Sequence, residues 1–393
     1  WWPLILLLFP VIGRLWCAFC PFMIYGEIVQ KLSLKFFPRT LQKWPRETAQ
    51  KWGGWFLFGL FVLIFLWEEL WHLENTAYLS SCLLLLITAG AVIFSLIFER
   101  RFWCRYLCPI GGMNGLFAKL SIVELRAQQG TCAAECTTYH CYKGGVGFGE
   151  GQTTNGCPIY SHPAQLTDNK DCVLCMTCLK ACPHRSVELN LRPPGIELWT
   201  THIPHAYEVA LLFLLLGGVY LHRLPELNSL LGLQIDLNQF LPHLGLSIAA
   251  TIVPSVIPFL AYGVMQGFYQ LGKLEFTRFK ISKPLPFITL AYGYLPLVLG
   301  GNLAHYFKLG LEEGGQIIPI TFATFGQIGN NLPSFVAHPA VITFLQGMTL
   351  IVALAVTFFL TQKIAKRPIR SLIPQHLASI CILITLWISI VGN

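Results

Sequence analysis

Charged side chains are scarce in this chain of 393 residues: Asp, Glu, Lys and Arg together make up 12% of it, whereas hydrophobic residues make up 54%. With so few charges and a mean hydropathy of +0.58, the composition excludes a soluble domain and indicates a polytopic membrane protein. The net charge of +8 does not indicate nucleic-acid binding. The basic residues fall in short loops between apolar segments, where they set the orientation of the spans.

Several sequence features that would mark other functions are also missing. No Gly-x-Gly-x-x-Gly motif follows a strand, so we do not expect the chain to oxidise NAD(P)H itself. Methionine is rare, at 5 residues, which disfavours a Met-rich copper channel. The apolar segments lack the charged midplane residues that mark ion pathways, which disfavours a transporter. The chain opens on Trp1 without a signal peptide, so we expect further residues to precede it.

Eight apolar segments approach the length of about 20 residues that a membrane-crossing helix needs. They are residues 1–13, 54–70, 78–98, 206–221, 244–271, 285–307, 340–360 and 377–391. Basic residues cluster in the loops on one side of these segments, at 31–51, 100–105, 273–283 and 363–370. The positive-inside rule makes that side cytoplasmic.

One run of cysteines has the spacing C-x2-C-x2-C-x3-C-P, the ligand pattern of a bacterial-type [4Fe–4S] ferredoxin. The run consists of Cys172, Cys175, Cys178 and Cys182. A zinc site would more often show separated C-x2-C pairs, and so many thiols close together fit a reducing compartment better than disulfides. The run therefore predicts an iron–sulfur cluster.

A second, more loosely spaced set lies just upstream: Cys132, Cys136, Cys141 and Cys157. In two-cluster ferredoxins the fourth cysteine of each run ligates the other cluster. Applied here, that rule assigns Cys172, Cys175, Cys178 and Cys157 to one cluster and Cys132, Cys136, Cys141 and Cys182 to the other. The glycine-rich insert at 144–156 is expected to loop out. A zinc site on this second set is the alternative.

Two further motifs, W-C-A-F-C-P and W-C-R-Y-L-C-P, lie at the cytoplasmic ends of the first and third apolar segments. They supply Cys17, Cys20, Cys104 and Cys108. These thiols could form a third cluster or metal site, act as redox dithiols or bind Cu(I), or simply pack at tight proline turns. The nearby Arg14 and Arg105 are expected to lower the thiol pKa values, which would suit the first two functions.

The paired Trp-Cys…Cys-Pro motifs followed by a ferredoxin-like cysteine run resemble the NosR/NapH-type membrane-bound polyferredoxins. The resemblance covers residues 1 to about 192. It implies inner-membrane electron transfer that connects a cytoplasmic or quinol-level reductant to a partner across the membrane. Full-length NosR members also carry an external flavin domain, so an external flavin or reductase domain or subunit is an implied partner. The first motif here is C-x2-C-P where the family usually has C-x3-C-P.

Five histidines fall near the predicted external ends of spans or in external loops: His72, His222, His243, His305 and His338. A histidine within a membrane segment is a candidate functional residue. His222 and His305 are candidate axial ligands of a b-type haem, and external copper capture is another possibility. The alternative for each is an interfacial polar residue that caps a helix end or snorkels.

These features together predict a mainly α fold: a polytopic helical membrane protein of about eight spans with an inserted cytoplasmic 2[4Fe–4S] ferredoxin domain of small α+β type. The predicted domains are a membrane segment with two Cys-Pro motifs (1–130), a ferredoxin-like domain (131–192) and a five-span C-terminal membrane segment (205–393). The predicted location is a bacterial inner membrane or another energy-transducing membrane.

The leading functional prediction is an electron-transfer protein that links a cytoplasmic reductant or quinol to a redox partner at or across the membrane. The expected cofactors are two [4Fe–4S] clusters, with a third cluster, copper or haem as further candidates. One alternative is a copper reductase, a copper chaperone or a metalloenzyme assembly factor that uses the membrane-edge cysteines. Another is a redox-sensing membrane regulator whose clusters report the redox state instead of conducting electrons.

Overall fold

A computed structural model describes residues 2–71, 73, 76–233, 235–237, 239–271, 283–326 and 332–392. The chain divides into two compact units. One unit comprises residues 8–203 and contains every cysteine motif. The other comprises residues 204–393 together with residues 1–7. Most of the basic loop predicted at 273–283, and His72 of the external loop, lie outside the described residues.

Four apolar helices open the chain; residues 8–12 of the first helix and all of the other three lie in the unit 8–203. They are α1 (Trp2–Ile12), α2 (Pro21–Phe36), α3 (Arg46–Leu70) and α4 (Ala77–Ile97). A short 3-10 turn, Leu15–Ala18, separates α1 from α2, and the two helices are bent by 103° at this break. Gly13 lies at the bend with φ 53°, a left-handed conformation that glycine adopts without a steric penalty. The bend places the first Cys-Pro motif between two helices.

The remaining elements of this unit are short, as expected for loops that surround cofactor ligands. They are α5 (Phe102–Tyr106), α6 (Pro109–Ala118), β1 (Val123–Ala127), α7 (Gln129–Ala134), α8 (His140–Lys143), α9 (Thr177–Ala181), β2 (Val187–Leu191) and α10 (Glu197–Thr200). The strands β1 and β2 pair antiparallel, with Val123 opposite Leu191 and Ala127 opposite Val187. Alternation of apolar and polar residues buries Leu125 and Val187 on one face. The strands therefore bracket the eight cysteines between 132 and 182.

The C-terminal unit is a helical bundle. Its helices are α11 (Ala206–Leu221), α12 (Leu224–Leu230), α13 (Phe240–Leu271), α14 (Phe287–Ala291), α15 (Leu295–Lys308), α16 (Ile317–Thr324), α17 (Pro339–Ala365) and α18 (Ile369–Ile390). Helix α11 is apolar almost all round and nearly every residue in it is buried, which is typical of a central helix. It packs against α13 and α15, and α15 packs against α17.

Among the described residues, six helical stretches are long and apolar enough to cross a membrane, and up to eight if each of two bent helix pairs counts as one span. The bent pairs are α1 with the segment Leu15–Phe36 and α11 with α12. The prediction of a mainly helical protein with about eight apolar spans is confirmed. The domain boundaries predicted within the first unit stay predictions.

The conformation of Gly13 predicts that a side chain will be costly there. A Cβ at this position would require a left-handed residue, at a cost of about 1–2 kcal/mol, and would lie 3.2 Å from the Ser121 hydroxyl oxygen. Gly13→Ala should therefore lower the thermal unfolding midpoint of the detergent-solubilised protein. Gly59→Ala, where an added Cβ meets no heavy atom within 4 Å, should leave it unchanged or raise it. Equal midpoints in the two variants would contradict this account of the bend.

Candidate functional site

Four cysteines line one cavity beside β1. They are Cys157, Cys172, Cys175 and Cys178, and we call them the middle set. Apolar side chains of Leu125, Ile159 and Val173 form much of the remaining wall. These are the four thiols that the sequence assigns to a single cluster. Their convergence fits that assignment, and the identity of the bound group stays a prediction.

Backbone conformation brings the middle set together. Leu174 and Met176, on either side of Cys175, adopt left-handed conformations with φ 50° and 58°, which few residues other than glycine do. The chain thereby curls around the cavity. The amide of Ser161 donates a hydrogen bond of 3.3 Å to the Cys157 sulfur. Amide donors of this kind stabilise the charge of a metal-bound thiolate and tune its reduction potential.

Burial shapes the acidity of these thiols. It raises the pKa of Cys172 to about 11, and it raises the pKa of Cys178 even further, with the other cysteines of the set adding to the shift. The free thiols of Cys172 and Cys178 would therefore be protonated at neutral pH. Binding iron would release their protons, as is general for thiolate ligands.

The other four thiols of the cysteine-rich segment also lie together: Cys132, Cys136, Cys141 and Cys182. We call them the distal set. Burial and then the neighbouring Cys136, Cys182 and Cys132 raise the pKa of Cys141 to about 12. The hydroxyl oxygen of Ser186 lies 3.3 Å from the Cys132 sulfur and 3.4 Å from the Cys182 sulfur. The crossed assignment of Cys157 and Cys182 therefore matches the two groups of thiols in the structure.

The glycine-rich insert folds back on itself, as expected for a loop. Isolated bridges join Gly145 to Thr154 and Phe148 to Gly151. The Cys157 amide then donates to the Tyr142 carbonyl at 3.3 Å. This contact returns the chain from the distal set to the middle set.

The membrane-edge cysteines form a third group of four. This membrane-edge set consists of Cys17, Cys20, Cys104 and Cys108. Cys20 and Cys108 are the N-cap residues of α2 and α6, each followed by a proline in the first helical turn. The Cys108 sulfur accepts a hydrogen bond of 3.3 Å from the Gly111 amide. Burial and then the thiols of Cys108 and Cys17 raise the pKa of Cys104 well above its usual value, which indicates that these side chains are close neighbours.

Two polar side chains contact the membrane-edge set: Arg14, which the sequence placed near these thiols, and Asn114, which it did not single out. The buried amide of Asn114 donates to the Cys17 sulfur at 3.3 Å, and the Arg14 guanidinium also reaches this thiol. Asn114 lies on α6 about one turn before its end at Ala118, where the sequence carries no recognisable ligand signal. Its role becomes visible only when α6 is packed against the bend after α1.

Arg14 is a deeply buried cation, with 3% of its surface exposed. It donates to the carbonyls of Lys170 and Cys104, and its guanidinium lies against Gly111 and Gly115 of α6, where a Cβ would come within 3.3–3.4 Å of it. Within the described residues, no salt bridge joins it to a carboxylate; Asp171, whose charge acts on it, pairs with Arg105 at 3.1 Å. A buried anion at the neighbouring thiols would stabilise the charge of Arg14 further.

Arg105 does not act on the membrane-edge thiols as the sequence suggested. Its guanidinium donates to the carbonyls of Ile159 and Tyr160 at 2.6 and 2.9 Å and pairs with Asp171 at 3.1 Å. The expectation of lowered thiol pKa values is also wrong for Cys104 and Cys108. Burial raises the pKa of Cys108 to about 12 and outweighs the opposing effect of Arg14.

Neighbouring arginines tie the membrane edge to the cysteine-rich loops. Arg101 pairs with Glu27 at 2.6 Å and donates to the Cys17 carbonyl at 3.0 Å. Arg100 donates to the carbonyls of Tyr142 and Cys157, both at 2.6 Å. Guanidinium groups have several donors in a fixed geometry, which suits this bridging between loop carbonyls.

The three sets of thiols are in contact through shared apolar residues. Ile159 and Val173 pack in one buried group with Cys17 and Cys104, and Cys157 and Cys175 of the middle set pack against the same group. A second buried group joins the middle and distal sets and contains Cys178, Cys141 and Cys182. The order through the unit is therefore membrane-edge set, middle set and distal set.

The chemistry of the donor sets fits an iron–sulfur cluster. Each set consists of four cysteine thiols, and in a [4Fe–4S] cluster each of four thiolates binds a different iron. Among the described residues, no three His, Cys, Asp or Glu side chains converge closely enough to hold one metal ion. The cysteine sets therefore have the number and type of ligands that such a cluster requires.

In the C-terminal unit, His222 and His305 lie side by side, with ring centroids 5.4 Å apart and planes at 17°. Two metal–imidazole bonds of about 2 Å each would set the centroids roughly 6 Å apart, with a porphyrin between them. The rings are closer together than that arrangement requires. The assignment of His222 and His305 as haem ligands stays a prediction.

The other histidines have ordinary structural surroundings. The Nδ1 atom of His338 accepts the Ala340 amide at 3.2 Å and caps α17, as the helix-capping alternative predicted. His243 is buried in α13. No three of the described histidines converge on a common point that could hold a metal ion.

Comparison with known proteins gives the class of protein that this chain resembles. Residues 1–40 and 82–124 match a family described as a 4Fe-4S binding domain. These two segments contain all four cysteines of the membrane-edge set and none from the cysteine-rich loops. The similarities as a whole support a family of 4Fe–4S membrane ferredoxins. The narrower resemblance to NosR/NapH-type proteins stays a prediction.

Three relatives illustrate the similarity, and two of them carry electron-transport or ferredoxin names. An uncharacterized protein of Methanocaldococcus jannaschii is 26% identical over 44% of this chain and 62% of its own length. The putative electron transport protein YccM of Escherichia coli is 28% identical over 28% of each chain. The methylamine utilization ferredoxin-type protein MauN of Methylorubrum extorquens is 29% identical over 35% of this chain and 52% of its own.

The chain thus spans less than two thirds of the length of each of these relatives. No solved structure matches it.

The buried charge of Arg14 generates a prediction. Arg14→Leu should destabilise whatever anionic group the membrane-edge set holds, because the variant removes the buried cation and nothing replaces it. Iron per chain should fall by about four atoms, the content of one cluster, as it would in Cys104→Ser. Arg39→Leu is the matched control, because Arg39 is exposed and donates to the Leu96 carbonyl. Full iron content in Arg14→Leu would contradict this function of the buried cation.

Proposed function

We propose that the protein is a membrane-bound electron carrier with three [4Fe–4S] clusters in series, one on each set of four cysteines. The observation that carries the proposal is the contact between the sets, through Ile159 and Val173 on one side and Cys178 and Cys141 on the other. Each cluster would accept and release one electron at a time. The protein's own residues hold the thiolates, exclude water and donate hydrogen bonds to the sulfurs.

The family match supports a cluster on the membrane-edge set. The matched segments meet at those four cysteines, although 41 residues separate the segments in the sequence. The buried charge of Arg14 supports the same assignment, because a [4Fe–4S] group with four thiolates carries net negative charge. Neutral thiols packed at a proline turn would add no charge to that of Asp171 in compensating for this cation.

The names of two relatives, an electron transport protein and a ferredoxin-type protein, support an electron-transport function. Electrons would come from a reduced soluble ferredoxin or flavodoxin, one at a time, or from a quinol, which releases two electrons and two protons as it is oxidised. A redox partner at or across the membrane would be reduced. The basic loops support a cytoplasmic position for the cysteine-rich segment.

A copper-handling function is the second candidate, because soft thiolates at the membrane edge also suit Cu(I). The two proposals differ in metal content. Three clusters require about twelve irons and twelve acid-labile sulfides per chain. Two clusters with copper on the membrane-edge set would give about eight irons and leave copper bound after loss of the middle set.

Cysteine variants test the number and placement of the clusters. Cys175→Ser and Cys104→Ser should each remove about four irons and four sulfides and one component of the low-temperature EPR spectrum of the reduced protein. Cys381→Ser is the matched control, since Cys381 is an exposed free thiol in α18. Iron, sulfide and copper would be measured on the detergent-purified protein. Unchanged iron in Cys104→Ser, with copper present in the parent protein, would overturn the third cluster.

A further inference from the structure

His162 lies between the middle and distal sets and contacts a sulfur of the distal set. Its Nε2 atom is 3.9 Å from the Cys141 sulfur, within reach of a hydrogen bond to a large, polarisable acceptor. The ring is held between the rings of Tyr139 and Tyr142, each with a centroid 6.0 Å away. The cysteine spacing carries no signal for this histidine, which follows Cys157 by five residues.

The other nitrogen of the ring determines which atom carries the proton. The amide of Ala164 donates to Nδ1 of His162 at 3.2 Å, so Nδ1 must be the acceptor. A neutral imidazole has one donor and one acceptor nitrogen, and the proton is therefore on Nε2. That N–H faces the Cys141 sulfur, and the tautomer follows from the hydrogen-bond network.

We propose that His162 is a positioning residue that raises the reduction potential of the distal cluster by donating its Nε2–H to the Cys141 thiolate. The inference rests on the proposed function, because it assumes a cluster on Cys132, Cys136, Cys141 and Cys182. Reduction adds negative charge to a cluster, and part of that charge lies on the thiolate sulfurs. A donor to the sulfur stabilises the reduced state more than the oxidised state, so it raises the potential.

Sulfurs of the other two sets contact different side chains. Cys175 of the middle set has the Thr177 hydroxyl at 3.3 Å, and Cys17 of the membrane-edge set has the Asn114 amide at 3.3 Å. The effect assigned to His162 therefore concerns the distal cluster alone, and its loss should shift the potential of that cluster and leave the other two potentials unchanged.

The test is an EPR-monitored redox titration of the purified protein and three variants. His162→Phe keeps a flat ring but removes the donor, and the equilibrium constant for reduction of one cluster should fall about tenfold, a shift of about 59 mV for one electron. His162→Gln keeps an N–H donor and should restore most of the potential. His140→Phe is the matched control, because the His140 ring lies against Gly145 instead of a sulfur, and all three potentials should stay unchanged.

The outcomes separate this inference from the proposed function. Absence of the distal EPR signal in the parent protein, with correspondingly low iron, would overturn the proposed function. A distal signal whose potential is the same in the parent protein and His162→Phe would overturn the part assigned to His162. Should His162→Phe fail to assemble the cluster, electron–nuclear double resonance of the parent protein in D2O decides the question. An exchangeable imidazole proton coupled to the distal cluster is expected, and its absence would contradict the hydrogen bond.

Discussion

The buried guanidinium of Arg14 is the interaction on which the cysteine-bearing unit depends. It follows the bend at Gly13, bonds the carbonyls of Lys170 and Cys104, and reaches the Cys17 thiol. One side chain therefore joins the first Cys-Pro motif, the second Cys-Pro motif and the loop just before the ferredoxin-like run. Removing such a cation from water costs several kcal/mol unless an anion compensates for it; Asp171 provides part of that compensation, and charged sulfurs of the neighbouring thiols would provide more. Helix α6 packs against this guanidinium through Gly111 and Gly115, where a Cβ would come within 3.3–3.4 Å of it.

Hydrogen bonds to sulfur recur at three of the four Cys-Pro sequences. Cys108, Cys157 and Cys182 each accept a backbone amide at 3.3 Å, whereas at the start of α2 the Met23 amide donates to the Cys20 carbonyl at 3.1 Å. Proline after the cysteine fixes its own φ and lacks an N–H, so the chain turns and presents the next free amides toward the sulfur. The membrane edge and the ferredoxin-like loops thus use the same local device, although they differ in their surroundings and in the spacing of their other cysteines.

The grouping of the thiols could be predicted from the sequence, whereas their polar surroundings could not. Ligand spacing is local, and the crossed pairing of Cys157 and Cys182 follows a rule for two-cluster ferredoxins. The pairing of His222 with His305 could be proposed because both lie at the same expected membrane depth. The contacts of Asn114, His162 and Ser186 with sulfur were not predicted. A hydrogen bond to sulfur needs one polar atom at the right place in the fold, and no sequence spacing marks such a residue. Arg105 was assigned to the thiols by its proximity in sequence, but loop carbonyls and Asp171 lie closer to it in the fold.

The membrane-edge and distal sets are alike in burial but differ in the groups around their sulfurs. Two thiols of each set are buried, Cys17 and Cys104 in the first and Cys141 and Cys182 in the second. A buried site disfavours the extra negative charge that reduction brings, so a cluster at either set would need fixed cations or donors to remain reducible. Arg14 supplies a full positive charge beside the membrane-edge set, whereas the side chain beside Cys141 is a neutral imidazole. In the proposed series of one-electron sites, the two ends would therefore be stabilised by groups of different strength, the stronger one at the membrane edge.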